Sequence, residues 1–263
     1  MVFFGKPAPD LARQIETCLF ISRGEGCGRA FYEFLPDSSM NLIFRYSASA
    51  CRMVLLGPAT KKFSAEIDEA SDYFCIRFRP GQAPRLAELH PSNLIDTFAE
   101  IPKIHGRDVG SLADHLHSLP DLTSRQLLME DLVRRSLPLV RDDRCRQAST
   151  LLEAHGGSLQ VNQLADELGL HIRSLERLFI DHMGIPPKRL TRLIRLRRLL
   201  SCLGTGSFGS LADLAVVCGY TDQSHMIRDF KELTGRLPGE TNSCDARRLE
   251  GAPRTRIVHH YRP

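Results

Sequence analysis

Six basic residues and no acidic one lie between Lys188 and Arg198: Lys188, Arg189, Arg192, Arg195, Arg197 and Arg198. Ammonium and guanidinium groups at this density suit a polyanionic partner, although a charge run alone is usually a solvated face. The C-terminal tail adds Arg247, Arg248, Arg254, Arg256 and Arg262 against Asp245 and Glu250. Other residues with chemical potential are poorly spaced for it. The eight cysteines, at 18, 27, 51, 75, 145, 202, 218 and 244, are never closer than nine positions. Zinc ligands usually come in pairs about two to four residues apart. The cysteines therefore read as small buried apolar groups in a reducing compartment. No histidine precedes His90, and His115 and His117 are two apart, on opposing faces of an expected helix. A His/His/Glu metal cluster cannot be assembled on the N-terminal strands. Neither a Gly-rich phosphate loop nor a nucleophile elbow occurs. The expectation is a protein that is not an enzyme, with no metal and no cofactor.

The elements that would position the basic residues follow from periodicity. From about Arg29 to Arg79 the chain reads as short strands: Arg29–Leu35, Asn41–Tyr46, Arg52–Leu56, Lys62–Ile67 and Tyr73–Phe78. Pro36-Asp37, Gly57-Pro58 and Pro80-Gly81 separate them as turns. Such spacing predicts a small antiparallel barrel or sandwich. Phe31, Tyr32, Phe34, Phe44, Tyr46, Phe63, Tyr73, Phe74 and Phe78 are read mainly as its core, with a pocket lining as the alternative. Beyond Gly81 the pattern turns helical. Ser124–Leu137 carries Leu127, Leu128, Leu132 and Leu137 at helical spacing. Leu127, Leu128 and Leu132 could form a dimer seam with Glu130, Asp131, Arg134 and Arg135 outside, or be buried within their own domain. Leu139 to Ser149 reads as a linker running into a helix.

An internal repeat organises the C-terminal half. Leu164-Ala165-Asp166-Glu167-Leu168-Gly169-Leu170 returns 50 positions later as Leu214-Ala215-Val216-Val217-Cys218-Gly219-Tyr220. One extra residue then enters the second copy, so that Arg177 answers Arg228, Phe179 answers Phe230, Gly184 answers Gly235 and Pro187 answers Pro238. In each copy a small residue on a first helix permits close crossing by a second. The Gly four positions on permits the positive φ of a sharp turn. This grammar predicts two helix-turn-helix units, each offering the N-terminal face of its second helix to a major groove. Between them, Leu193, Leu196, Leu200 and Leu203 form one face of a connecting helix, and Lys188, Arg192 and Arg195 a basic one. A rigid connector would hold the second helices about 34 Å apart, one turn of DNA.

Gln163 to Pro187, the Arg-rich connector and Leu211 to Pro238 resemble the two-part DNA-binding domain of the AraC/XylS family of regulators. The most diagnostic stretch is Gly219-Tyr220-x-Asp222-Gln223-Ser224-His225-x-x-Arg228-x-Phe230-Lys231, followed by Gly235 and Pro238. The resemblance implies that Arg173, Glu176 and Arg177 face the groove from the first recognition helix. Gln223, Ser224, His225 and Arg228 do so from the second. Arg suits guanine and Glu the cytosine amino group. Lys188, Arg192 and Arg195 would meet phosphates, fixing register without reading sequence. Gly239-Glu240-Thr241-Asn242 departs from the family's aromatic-basic ending. Leu35 to Phe44, Gly57-Pro58 and Arg77 to Gly81 resemble a regulatory domain found in some members, which implies effector sensing and homodimerisation.

The expected architecture is thus a two-domain α+β chain. Residues 1–140 form a β-rich, barrel-like regulatory domain with trailing helices. Residues 141–242 form an all-α DNA-binding domain of two helix-turn-helix units joined by a linker helix. Residues 243–263 are a basic tail adding only nonspecific affinity. The expected partners are double-stranded DNA, a small-molecule effector, RNA polymerase and a second copy. The alternative is an N-terminal half that recruits a protein and binds nothing small. At 42% hydrophobic and 25% charged residues the composition is that of a globular protein. No apolar stretch approaches the roughly 20 residues of a membrane span, and no secretory signal opens the sequence. A cytoplasmic location, with no membrane contact, is expected.

Overall fold

Two strands absent from the sequence expectation open the chain, β1 (Val2–Gly5) and β2 (Ile15–Ile21). They are seen in a computed structural model that describes residues 2–22, 29–47, 51–68, 70–84, 89–137, 143–206, 208–241 and 255–257. The expected strands follow as β3 (Arg29–Phe34), β4 (Asn41–Tyr46), β5 (Cys51–Leu56), β6 (Phe63–Asp68) and β7 (Asp72–Phe78). Three short strands come next: β8 (Phe98–Glu100), β9 (Lys103–Ile104) and β10 (Arg107–Asp108).

One antiparallel sheet runs in the order β1-β2-β7-β4-β5-β8. A second pairs β6 with β3 and β3 with β11 (Thr255–Ile257), a strand contributed by the tail. The rest of the tail lies outside the described residues. Among the described residues neither sheet closes on itself, so the N-terminal half is β-rich without being a closed barrel.

Period-two alternation decides which side of the large sheet is core. Leu55, Leu42, Ile76 and Cys18 lie opposite one another across four strands, and Met53, Phe44, Phe74 and Phe20 form the next row. All eight are buried, under two helices, α1 (Val109–Ser118) and α2 (Leu122–Ser136). Those helices contribute Leu112, Leu116, Met129, Leu132 and Val133, each at most 2% exposed. Burial of each such side chain is worth about 1.5–3 kcal/mol. Leu132 therefore belongs to its own domain's core, whereas Leu127 is 58% exposed. Glu130, expected outside, is buried. It accepts from the Ala8 amide at 3.1 Å and Gln126 at 2.8 Å, and Cys18 lies against it at 3.8 Å.

Among the described residues of the C-terminal half, six α-helices form: α3 (Arg144–Ala154), α4 (Val161–Glu167), α5 (Ile172–Met183), α6 (Pro187–Thr205), α7 (Leu211–Val217) and α8 (Gln223–Thr234). Residues 138–142, part of the expected linker, lie outside the description, and α3 begins directly after Asp143. The two halves touch. Leu35 joins the helical core, and Gly184, which ends α5 at φ 75°, sits so close to Pro91 that a Cβ would lie 2.6 Å from its carbonyl oxygen. Among the described residues no helix is long and apolar enough to cross a membrane.

Of the six described cysteines, Cys18, Cys75, Cys145 and Cys218 are buried, as the small-apolar-group reading expects. Burial pushes the Cys75 and Cys218 thiols up to about 12.

Candidate nucleic-acid interface

Both repeats fold the same turn. Ala165 and Ala215 are fully buried where the second helix crosses the first. Gly169 and Gly219 have φ of 63° and 75°, a region that costs other L-residues about 1–2 kcal/mol. The backbone bonds repeat as well. Leu170 N donates to Ala165 O and Tyr220 N to Ala215 O, both at 2.9 Å. Leu164, Leu175, Leu178 and Phe179 close the first unit's core, and Leu214, Cys218, Met226, Phe230 and Leu233 the second's. Two helix-turn-helix units are therefore present, α4–α5 and α7–α8.

Caps set the entry of each second helix. His171 accepts from the Arg173 amide at 3.2 Å, and the Asp222 carboxylate accepts from the His225 amide at 2.7 Å. The first turns present unpaired backbone N–H groups and the positive end of the helix dipole, which favour anions.

On α5, Arg173, Glu176 and Arg177 are exposed, with Ile172 and Ser174 beside them. Arg177 keeps 85% of its side chain in solvent and makes only a loose 3.6 Å contact with Asp181. On α8, Gln223, Ser224 and Arg228 are exposed, and Arg228 Nε donates to the Ser224 carbonyl at 3.3 Å. His225 is half-buried, its ring edge-on to Tyr220 with centroids 5.4 Å apart.

Because α5 starts at Ile172 and α8 at Gln223, the helices correspond at an offset of 51. Ile172 and Ser174 thus occupy the places of Gln223 and His225, and the half-buried Ile227 that of Glu176. Residues 172 and 174 were missing from the sequence reading, although the Arg177–Arg228 spacing carries the same offset.

The expected phosphate-contacting residues divide. Lys188 is exposed in the first turn of α6. Arg192 and Arg195 are instead engaged inside the domain. Arg192 Nε donates to the buried Asp229 at 2.6 Å and its Nη2 lies 2.8 Å from Glu232. Burial alone would lower the Arg192 pKa; its bonds and charges with Glu232 and Asp229 outweigh burial and raise it. Arg195 lies over the Tyr220 ring, 4.9 Å from the centroid, and donates to the Gly219 carbonyl at 3.3 Å. The basic stripe of α6 is thus largely a set of internal struts tying it to the second unit.

Residues 164–243 match a family model described as a helix-turn-helix domain, and residues 5–100 match a domain of unknown function, DUF6597. The HTH-type transcriptional activator RhaS of an Enterobacter species is 33% identical over 135 residues, 48% of this chain and 46% of that protein. RhaS of Pectobacterium atrosepticum is 32% identical over 78 residues, 28% of this chain and 26% of that one. The chain spans less than half the length of these curated relatives. A solved DNA-binding transcriptional dual regulator from Escherichia coli K-12 is 24% identical with a TM-score of 0.36, over 43% of this chain and 100% of that one. ToxT from Vibrio cholerae is 13% identical with a TM-score of 0.41, over 91% and 97%. With its duplicated turn, its matched helix-turn-helix model and its similarity to RhaS, the chain carries an AraC-type helix-turn-helix domain over residues 164–243.

Proposed function

We propose that this chain is a sequence-specific transcription regulator that reads duplex DNA with α5 and α8. The observation that carries this reading is the repetition of one turn geometry with an exposed polar N-terminal face on the second helix each time. Arg173, Glu176, Arg177, Gln223, Ser224 and Arg228 contact base edges, with His225 at the margin of the second set. Lys188 and the amides at the helix starts hold phosphates. The connecting helix α6 fixes the spacing of the two readers.

Residues 1–140 serve as the regulatory domain, 141–242 as the DNA-binding domain, and the former responds to a small effector. A cavity between its sheets supports this role, and so does its attachment. Ala59 and Asp96 line that cavity, while Thr60, next to Ala59 in the chain, bonds to both Asp96 and α6. Asp96 accepts from the Thr60 amide and hydroxyl at 2.6 and 2.7 Å, and Arg189 on α6 donates to the Thr60 carbonyl. A change at the cavity wall therefore has a direct route to the helix that spaces the readers.

Partner recruitment by the N-terminal half is favoured by one observation. Phe4 on edge strand β1 and Leu127 on α2 are 57% and 58% exposed, apolar surface of the kind a second copy or RNA polymerase would cover.

Selection of bound duplexes from a random pool, with the full chain at physiological salt, tests the DNA reading. One motif of two short blocks about 10 base pairs apart is expected. Retention of DNA without any enriched motif would refute sequence-specific recognition.

A further inference from the structure

The two sheets of the N-terminal half leave a cavity of about 410 Å³ between the β4–β5–β7 face and β6. That volume falls within the roughly 300–1,000 Å³ typical of small-molecule sites. Its walls are mainly apolar, with Ile43, Val54, Leu56, Phe63, Ile67 and Phe98 contributing. Four charged side chains also reach it: Arg45, Arg52, Glu66 and Asp96.

Three of the four are committed to partners. Arg52 Nε donates to Glu100 at 2.6 Å, and its guanidinium lies 5.2 Å from the centre of the Phe98 ring. Asp96 is held by Thr60. Glu66, on the facing sheet, has an interaction of its own. Arg45 differs. Its Nε is sealed from solvent without a hydrogen-bond partner. Among the described residues, Arg52 pairs with Glu100 and no carboxylate pairs with Arg45. The Tyr73 hydroxyl that Arg45 contacts is neutral.

Register makes the imbalance worse. Arg45 and Arg52 are direct cross-strand partners, and both face the cavity. Like charges in that relation repel, and Glu100 pairs with Arg52 alone. The Arg45 side chain thus brings to the cavity wall a positive charge that no described carboxylate offsets, and a negative group bound in the cavity would offset it. Glu66 on the opposite wall disfavours a second negative charge on the same ligand.

We infer that this cavity binds a small amphipathic monoanion, its carboxylate on Arg45 and its apolar body among Ile43, Val54, Phe63 and Ile67. The inference rests on the effector-binding reading of the N-terminal half and gives its ligand a chemical class.

The test is calorimetric titration of the full chain with straight-chain and aryl-substituted carboxylates of graded size. Each is paired with the primary amide and the amine of the same carbon skeleton. At least one carboxylate should bind, and its amide should bind about tenfold or more weakly. Arg45→Gln should erase the difference between the two while leaving the unliganded melting temperature unchanged or higher. Val54→Trp, which fills the cavity, should abolish binding with helical content retained. Equal binding of amide and carboxylate, or preference for the amine, overturns the anion assignment and leaves an effector site standing. Failure of every probe removes both. A carboxylate that binds through Arg45 without altering DNA affinity confirms the site and contradicts its regulatory role.

Discussion

Arg192 on α6 donates its Nε to Asp229 on α8 at 2.6 Å, and the second Asp229 oxygen accepts from the Tyr220 hydroxyl at 3.2 Å. Asp229 is 5% exposed, so this carboxylate depends on its two partners. Helix α8 is thereby bolted to the connector and to the residue that follows the Gly219 turn.

Arg192→Ala should therefore act through stability. Leaving a buried carboxylate without its cation costs about 3 kcal/mol, the low end of the range, since Arg192 itself keeps some water contact. Urea unfolding of the variant checks this. An unchanged midpoint together with a smaller salt dependence of DNA binding would return Arg192 to the phosphate-contacting set.

Glu232 gives this network its pH dependence. Its carboxyl is held below the ordinary value of 4.5, chiefly by the hydrogen bond from Arg192. A depressed folded pKa means stabilisation that is complete above the unfolded value and lost as pH falls through the folded one. Glu232→Gln should cost a few tenths of a kcal/mol near neutrality, because the side chain is 62% exposed and solvent screens the pair. The difference from wild type should vanish as pH drops well below 4.5. Denaturation curves across that range decide the point, and a difference that persists in acid would show that the ion pair is not its source.

The two turn glycines should differ in tolerance. A Cβ on Gly169 would meet nothing within 4 Å, whereas on Gly219 it would lie 3.2 Å from the Ser158 Cβ. Gly169→Ala should cost only the left-handed conformation, about 1–2 kcal/mol, and Gly219→Ala more than that. Thermal unfolding of both variants provides the comparison. Equal losses would mean that Ser158 yields freely.

Lys188, exposed and without a carboxylate partner among the described ion pairs, is the clearest candidate for a phosphate contact on α6. Lys188→Ala should weaken binding to every duplex alike and reduce the slope of log affinity against log salt by about one. A loss confined to one sequence would make it a base reader instead.

Much of this architecture was legible because it repeats. Ala165 with Gly169 and Ala215 with Gly219 announced the same turn twice, and the structure forms both. Strands β3 to β7 were legible from apolar runs cut by Pro and Gly. Strand β2 was not, since Glu16 and Thr17 interrupt its apolar pattern, and β1 is a four-residue edge strand. The roles of Arg192 and Arg195 were misleading for a physical reason. Helical periodicity placed them opposite the leucine face, but their partners Asp229, Tyr220 and Gly219 come from elements that no local pattern places beside α6. Glu130 shows the same limit. Its charge argued for solvent, while two of the groups that satisfy it, Ala8 and Cys18, lie 122 and 112 residues away. The Arg45–Arg52 pairing needed strand register, which hydrophobicity alone does not fix.

The most direct measurement repeats the duplex selection with Arg177→Ala and Arg228→Ala proteins beside wild type. Each helix should read its own block, so each variant should lose base preference in one block only, and the blocks should differ. Each loss should correspond to about 1–3 kcal/mol at the affected position. If both variants blur the same block, or neither changes the motif, the two helix-turn-helix units do not read DNA as a pair.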